Sequence, residues 1–244
     1  MILLCVDLET TGTDIFDAEI TEIGIVTFDT DSEQVVRIYS TLVKPLGLIP
    51  EEIQDMTGIS QAMVNRFGVP WSVALSAWNE FVLEADYIVG HNIKGFDAPI
   101  LERLSGKKLQ KPIIDTMTDL PYERFITSKK LSHLALDVLG IANPFPHRAA
   151  TDALTTIMLL DAYPIEEVIE YAKAEQKLII AKLKKDDPAF DRKKDEIKRL
   201  GYRWSGSPEF RWQKSFKDVE GQAQREREKA KNVGVRITVM KQAT

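Results

Sequence analysis

Ile2-Leu3-Leu4-Cys5-Val6-Asp7-Leu8-Glu9-Thr10-Thr11-Gly12 begins as an unbroken apolar run and ends on an acid pair and a small polar turn. An apolar run of this kind reads as a central strand buried on both faces. Side chains two apart in a strand share a face, so Asp7 and Glu9 point the same way. They do so at the strand's carboxyl end, where mixed sheets tend to place their sites. The turn Thr10-Thr11-Gly12 offers backbone N–H groups to a phosphate or a terminal sugar. The pair alone is weak, because a chain with 37 acids holds several such spacings by chance. Two acids meeting solvent at a strand end would look the same.

Working outward, residues 19–28 and 35–43 are rich in Ile, Val, Thr and Tyr around the turn Asp29-Thr30-Asp31-Ser32, which predicts a hairpin. Short helical pieces follow at 51–57 and 60–66, and Pro70 opens a helix over 71–85. A short strand at 87–89 leads to a helix over 97–104, and a strand at 113–114 to a helix over 131–139 stopped by Gly140. Asn143-Pro144-Phe145-Pro146 breaks the chain before a helix over 147–163, and 164–174 continues helical. Strands in a meander followed by strands alternating with helices predict an α/β domain, a mixed five-stranded sheet flanked by helices, over residues 1–175. From residue 176 the order strand 178–183, helix 189–200, hairpin 201–205 and 210–216, helix 218–231 and strand 235–240 is β-α-β-β-α-β. That is a small α+β, ferredoxin-like unit over 176–244.

The composition, 44% hydrophobic over 244 residues, supplies a core and no bilayer-length apolar segment. The apolar start is too short for a secretion signal and lacks a basic leader. A single cysteine, Cys5, makes no internal disulfide and suits a reducing cytoplasm. The net charge of −5 hides an asymmetry. Residues 176–244 carry 19 Lys and Arg against 10 acids, net +9, whereas residues 1–175 carry 13 against 27, net −14. An acidic body that gathers metal ions and a basic region that holds phosphates suit a nucleic-acid enzyme, although charge can also vary for solubility alone.

Two further motifs join the acid pair. Asp97 ends Gly90-His91-Asn92-Ile93-Lys94-Gly95-Phe96-Asp97, and His147 and Asp152 bound H-R-A-A-T-D. Asp97 reads either as a metal ligand or as an acid favoured by a helix N-terminus. His91 and Asn92 read as loop organisers, with Asn92 also a candidate substrate contact. Phe96 either stacks on a base or joins the core. Asp152 on a helix can reach a metal while His147 near its start faces substrate, and His133 reads as structural. Carboxylates in this number suit two hard divalent cations, Mg2+ or Mn2+, which can clamp an in-line displacement at phosphorus. A histidine is the natural base for the attacking water. Zinc does not fit, for want of a Cys cluster or a close His pair.

In order, D-L-E-T-T-G, H-N-x3-F-D and H-x-A-x2-D resemble the three exonuclease motifs of the DEDD superfamily, in its DEDDh branch. That branch includes the proofreading ε subunit of bacterial DNA polymerase III. The resemblance spans roughly residues 1–163, including Thr57-Gly58-Ile59 and Ile113-Ile114-Asp115-Thr116. The interval between H-N and F-D is three residues where some members have two. The resemblance implies an RNase H-like fold, two Mg2+ or Mn2+ ions, and stepwise release of 5′-mononucleotides from a DNA or RNA 3′ end. It implies Asp7, Glu9, Asp97 and Asp152 as metal ligands, with Asp7 on both ions, and His147 as the base. It favours single-stranded or 3′-frayed DNA and allows a DNA polymerase or repair partner. A non-catalytic nucleic-acid-binding protein on the same fold is the alternative.

The C-terminal unit lies outside the resemblance. Its aromatics alternate, Tyr202 with Trp204 and Phe210 with Trp212 and Phe216. They read mainly as core beneath two helices, with Arg203, Arg211, Lys214 and Lys217 on phosphates. The other reading makes them a platform for single-stranded bases.

Overall fold

The computed structural model describes residues 1–122, 126, 128–183, 187–206, 211–219 and 222–241. The chain divides into two compact units, Met1–Ala172 and Lys173–Thr244.

In the first unit, β1 (Ile2–Thr10) is longer than its apolar run because it pairs with β2 (Ile20–Asp29) along its whole length. β2 turns back into β3 (Gln34–Leu42), also antiparallel. α1 (Glu51–Thr57), α2 (Gln61–Phe67) and α3 (Trp71–Glu84) follow, and Ser60 caps α2 by accepting the Met63 N–H at 3.2 Å. Then come β4 (Tyr87–Gly90), α4 (Asp97–Ser105) and β5 (Ile113–Asp115). α5 (Leu131–Leu134) winds into a π-helical turn, Ala135–Leu139, which ends at Gly140 with φ 69°. α6 (Ala149–Asp161) and α7 (Ile165–Lys173) complete the unit.

The strands form one mixed sheet in the order β3-β2-β1-β4-β5, with β1, β4 and β5 parallel. Both faces of β1 are covered, so its side chains divide between two cores. Leu4, Val6 and Leu8 pack with Ile25, Trp78 and Ile100, whereas Leu3 and Cys5 pack with Val26, Ile157 and Leu160. Asp7 and Glu9 continue the second row by the two-residue period. They therefore lie on the α6 side of the sheet.

The second unit runs β6 (Gln176–Lys182), α8 (Phe190–Arg199), β7 (Arg203–Trp204), β8 (Trp212–Lys217), α9 (Gln222–Asn232) and β9 (Arg236–Lys241). Its antiparallel sheet has the order β7-β8-β6-β9. Ile179, Ala181, Ile197, Tyr202, Phe216 and Val235 form its core. Tyr202 and Phe216 are thus interior, Trp212 is half-buried and Trp204 is 51% exposed. Ser207 and Pro208 of the expected hairpin turn, and Phe210, lie outside the described residues. Among the described residues no helix is long and apolar enough to cross a membrane.

Candidate nuclease site

β1 supplies the first two acids. Asp7 lies opposite Gly24 and Glu9 opposite Glu22 in the β1–β2 register. Gly24 lets α6 approach, since a Cβ there would lie 2.2 Å from the Ala149 carbonyl carbon. The N-terminus of α6 consequently rests on β2 beside the acid pair.

Glu22, which sequence reasoning missed, holds it there. Buried to 2% exposure, its carboxylate accepts Nε and Nη2 of Arg148, each at 2.9 Å. It also accepts the Ala149 N–H at 3.1 Å and the Ser40 hydroxyl at 3.0 Å. The available signal was an acid inside the otherwise uncharged run 20–28 of β2. Its partner stands 126 residues away, and no local pattern reports that.

His147 departs from expectation. The helix starts at Ala149, so His147 sits in the preceding turn with φ 60°, exposed. Asp152 stabilises the turn by accepting the His147 backbone N–H at 3.0 Å on Oδ2, while the Asn143 amide bonds Oδ1. Ligand atoms of Glu9, His147 and Asp152 all lie within 4.8 Å of one another.

Asp97 is the first residue of α4 and is 3% exposed. Its Oδ1 accepts the Leu8 N–H at 3.0 Å, tying α4 to β1 between the two β1 acids. Asp115 shapes the loop before Asp97 by accepting N–H groups from Asn92 (2.8 Å) and Lys94 (3.2 Å), and it also accepts the Met117 N–H of its own turn (3.0 Å). His91 is a loop organiser on both ring nitrogens, Nδ1 with Thr116 Oγ1 at 2.9 Å and Nε2 with the Lys129 carbonyl at 2.8 Å. Asn92 is exposed in the left-handed region, φ 60°, and Phe96 packs against the core. In the turn after β1, Thr10 Oγ1 donates to the Gly12 carbonyl at 2.6 Å. The Thr11 N–H already serves the Glu19 carbonyl at 2.8 Å, so this turn has fewer free donors than its sequence suggests.

The four acids are brought together without a matching Lys or Arg ion pair among the described residues. Asp7 is pushed well above the usual carboxylate range by burial, then by Asp97, Asp152 and Glu9. Burial, then Asp152 and Glu22, raises Glu9 to about 8. Burial raises Asp97 to about 7, against the opposing pull of backbone N–H groups. Burial also raises Asp152, in spite of the His147 N–H. Arg148 lowers Glu9, but its guanidinium is committed to Glu22. Converging carboxylate oxygens, buried at Glu9 and Asp97 and half-buried at Asp7 and Asp152, are what hard divalent cations require, so the residues fit such ions.

The C-terminal candidates are described in their own unit. Arg203 is exposed on β7, and Arg211 Nε donates to Gln213 Oε1 at 2.9 Å. Lys214 does not face outward as expected for a phosphate contact. Its Nζ donates to Glu226 Oε2 at 3.0 Å and to the Leu200 carbonyl at 2.9 Å. The cause is the two-residue period: Lys214 shares the helix-covered side with Trp212 and Phe216, where buried Glu226 needs a cation.

Residues 4–160 match the exonuclease family model of the RNase T type. The DNA polymerase III epsilon subunit of Aquifex aeolicus is 31% identical over 156 residues, covering 62% of this chain and 74% of that protein. A PolC-type DNA polymerase III from Clostridium perfringens is 35% identical over 161 residues, 63% of this chain and 10% of the polymerase. The 3′-5′ exonuclease DinG of Staphylococcus saprophyticus is 33% identical over 162 residues, 64% of this chain and 17% of that protein. The chain thus spans only a small part of those two longer relatives. Among solved structures, E. coli exonuclease I with a dT13 oligonucleotide superposes with TM-score 0.60 at 15% identity, over 74% of this chain and 48% of that one. A second exonuclease I structure gives 0.66 over 96% of this chain and 68% of that one. At that identity the likeness concerns the fold, a mixed five-stranded sheet flanked by helices as in RNase H-like exonucleases.

Proposed function

Because the chain belongs to the exonuclease family of the RNase T type, we propose that it hydrolyses phosphodiester bonds at DNA 3′ ends and releases 5′-mononucleotides. The observation that carries this reading is the convergence of Asp7, Glu9, Asp97 and Asp152 beside His147. The four acids would hold two divalent ions, Mg2+ or Mn2+, which supply charge neutralisation at the scissile phosphate. His147 takes the proton of the attacking water, for which its exposure and its place beside Glu9 and Asp152 suit it. Glu22 and Arg148 fix the turn that presents it, and Asp115 fixes the loop that presents Asp97. Gly12, Asn92 and Phe96 border the acids in sequence and would meet the terminal nucleotides, with the turn at Thr10 and Thr11 holding their register.

Single-stranded or frayed DNA is the preferred substrate in this reading, supported by relatives named for DNA polymerase III and by the oligonucleotide complex of exonuclease I. The same relatives support a DNA polymerase or repair partner. The C-terminal unit, a ferredoxin-like domain by its β-α-β-β-α-β order and net +9 over residues 176–244, serves to hold the strand. A cytoplasmic setting agrees with the single, buried and free Cys5.

The test is end-labelled digestion. A 5′-labelled 3′-tailed DNA and a matched RNA are incubated with the protein and Mg2+ or Mn2+, with His147→Ala in parallel. A metal-dependent ladder shortening from the DNA 3′ end, and lost in the variant, is the expected result. Faster shortening of RNA would reassign the sugar, and binding without shortening would refute the enzyme.

A further inference from the structure

The helices of the C-terminal unit cover one face of its sheet, the face of Ile179 and Ala181. The register assigns the other face. Lys182 stands opposite Arg236, Ile180 lies between Gln213 and Thr238, and Leu178 lies between Ser215 and Met240. Arg203 on β7 is opposite Gln213. Ser215, Thr238 and Met240 are exposed, so this face is open at its centre as well as its rim.

Its charge is of one sign. Lys182, Arg203 and Arg236 are exposed on it, and no acid stands on it among the described residues. Two cations directly opposite one another on neighbouring strands, as Lys182 and Arg236 are, repel and destabilise the pair. Acids elsewhere in the unit are matched instead: Asp187 with Lys193, Glu226 with Lys214 and Lys229. A polyanion laid across the strands would relieve the repulsion, while Ile180, Leu178 and Met240 offer apolar surface to exposed bases. Double-stranded DNA buries its base faces and would leave that apolar row unused.

We propose that this open sheet face, through Lys182, Arg203 and Arg236, binds the phosphates of a single-stranded nucleic acid. The proposal rests on the substrate class given above and assigns it a face distinct from the one that Lys214 occupies. β6 covers on the order of 20 Å at about 3.4 Å per residue, room for a few nucleotides.

The test measures binding in chelator, where cleavage cannot occur. Fluorescein-labelled 30-nucleotide oligo-dT and oligo-rU are titrated with the full chain, wild type and Lys182→Gln/Arg203→Gln/Arg236→Gln, at several salt concentrations. Each phosphate contact on a single strand contributes about 0.7 to the log–log salt slope. The triple variant is therefore expected to lose roughly 2 units of slope and at least about tenfold in affinity at low salt. Neutralising Arg225, Arg227 and Lys231 on α9 instead is expected to change neither. Should the triple variant fail to fold, the three single variants each carry a loss of about 0.7. Unchanged slope and affinity overturn the proposal, as does a change confined to oligomeric state, which would make the face a contact between copies. A protein that binds in this way yet never shortens DNA would refute the nuclease reading and leave this one standing.

Discussion

Glu226 in the C-terminal unit and Glu9 in the N-terminal unit are both buried acids, and the fold treats them in opposite ways. Burial pushes Glu226 up, but hydrogen bonds from Lys229 (2.8 Å) and Lys214 (3.0 Å) outweigh it and hold its carboxyl below the usual range. Glu9 has no such pair among the described residues, and burial with neighbouring acids raises it to about 8. Within the N-terminal unit the contrast recurs one strand away, where Glu22 is chelated by Arg148 while its register partner Glu9 is not. Glu22 and Glu226, which serve structure, are neutralised by the chain's own cations. The β1, α4 and α6 acids have no Lys or Arg ion pair of that kind among the described residues.

That contrast can be broken in several places. The largest effect belongs to Asp7→Asn, which takes charge from the centre of the cluster. Its cleavage rate is expected to fall by roughly 10^3-fold, equivalent to about 4 kcal/mol of transition-state stabilisation, with strand binding in chelator retained. Digestion kinetics beside a binding titration would show it, and comparable loss in both would point to misfolding. His147→Ala should cost roughly 10^2-fold in kcat, within the ordinary range for a general base, because His147 is exposed and its removal disturbs little packing.

Arg148→Ala addresses the compensated acid. It leaves Glu22 buried without its guanidinium, and, with Arg148 40% exposed, a loss of about 2 kcal/mol in denaturant unfolding is expected. Stability equal to wild type would mean that Glu22 does not need its partner. Acidity provides the next comparison. Glu9 near 8 and Asp97 near 7 in the folded chain compare with about 4 when unfolded. The folded state then holds extra protons between pH 4 and 8, so metal-free stability falls as pH rises through that window. The melting temperature without metal is expected to drop by several degrees from pH 5 to pH 8, and Mg2+ or Mn2+ to restore it at pH 8. A flat profile would show the acids to be balanced after all. Smallest is Lys214→Met, expected to cost about 1 kcal/mol because Lys229 remains on Glu226, with the salt slope of strand binding unchanged.

What the sequence revealed depended on range. The β1 acids and the element order were legible because two-residue and helical periodicities are local, and Asp97 because its strand and loop precede it directly. The backbone conformation of His147 was not. Its left-handed turn is held by Asp152 and Asn143 side chains, which apolar periodicity does not encode. The role of Glu22 needed a contact between β2 and α6, and that of Lys214 needed to know which sheet face the helices cover. Charge type was readable in each case, but charge pairing is a property of the tertiary fold.

The most direct measurement is calorimetric titration of Mn2+ into the metal-free protein at pH 7, in two buffers of different ionisation enthalpy. The uncompensated cluster predicts binding of more than one ion per chain, with protons released from Glu9 and Asp97, and weakening of that binding in Asp7→Asn. Absence of binding, or binding that Asp7→Asn leaves untouched, would contradict it.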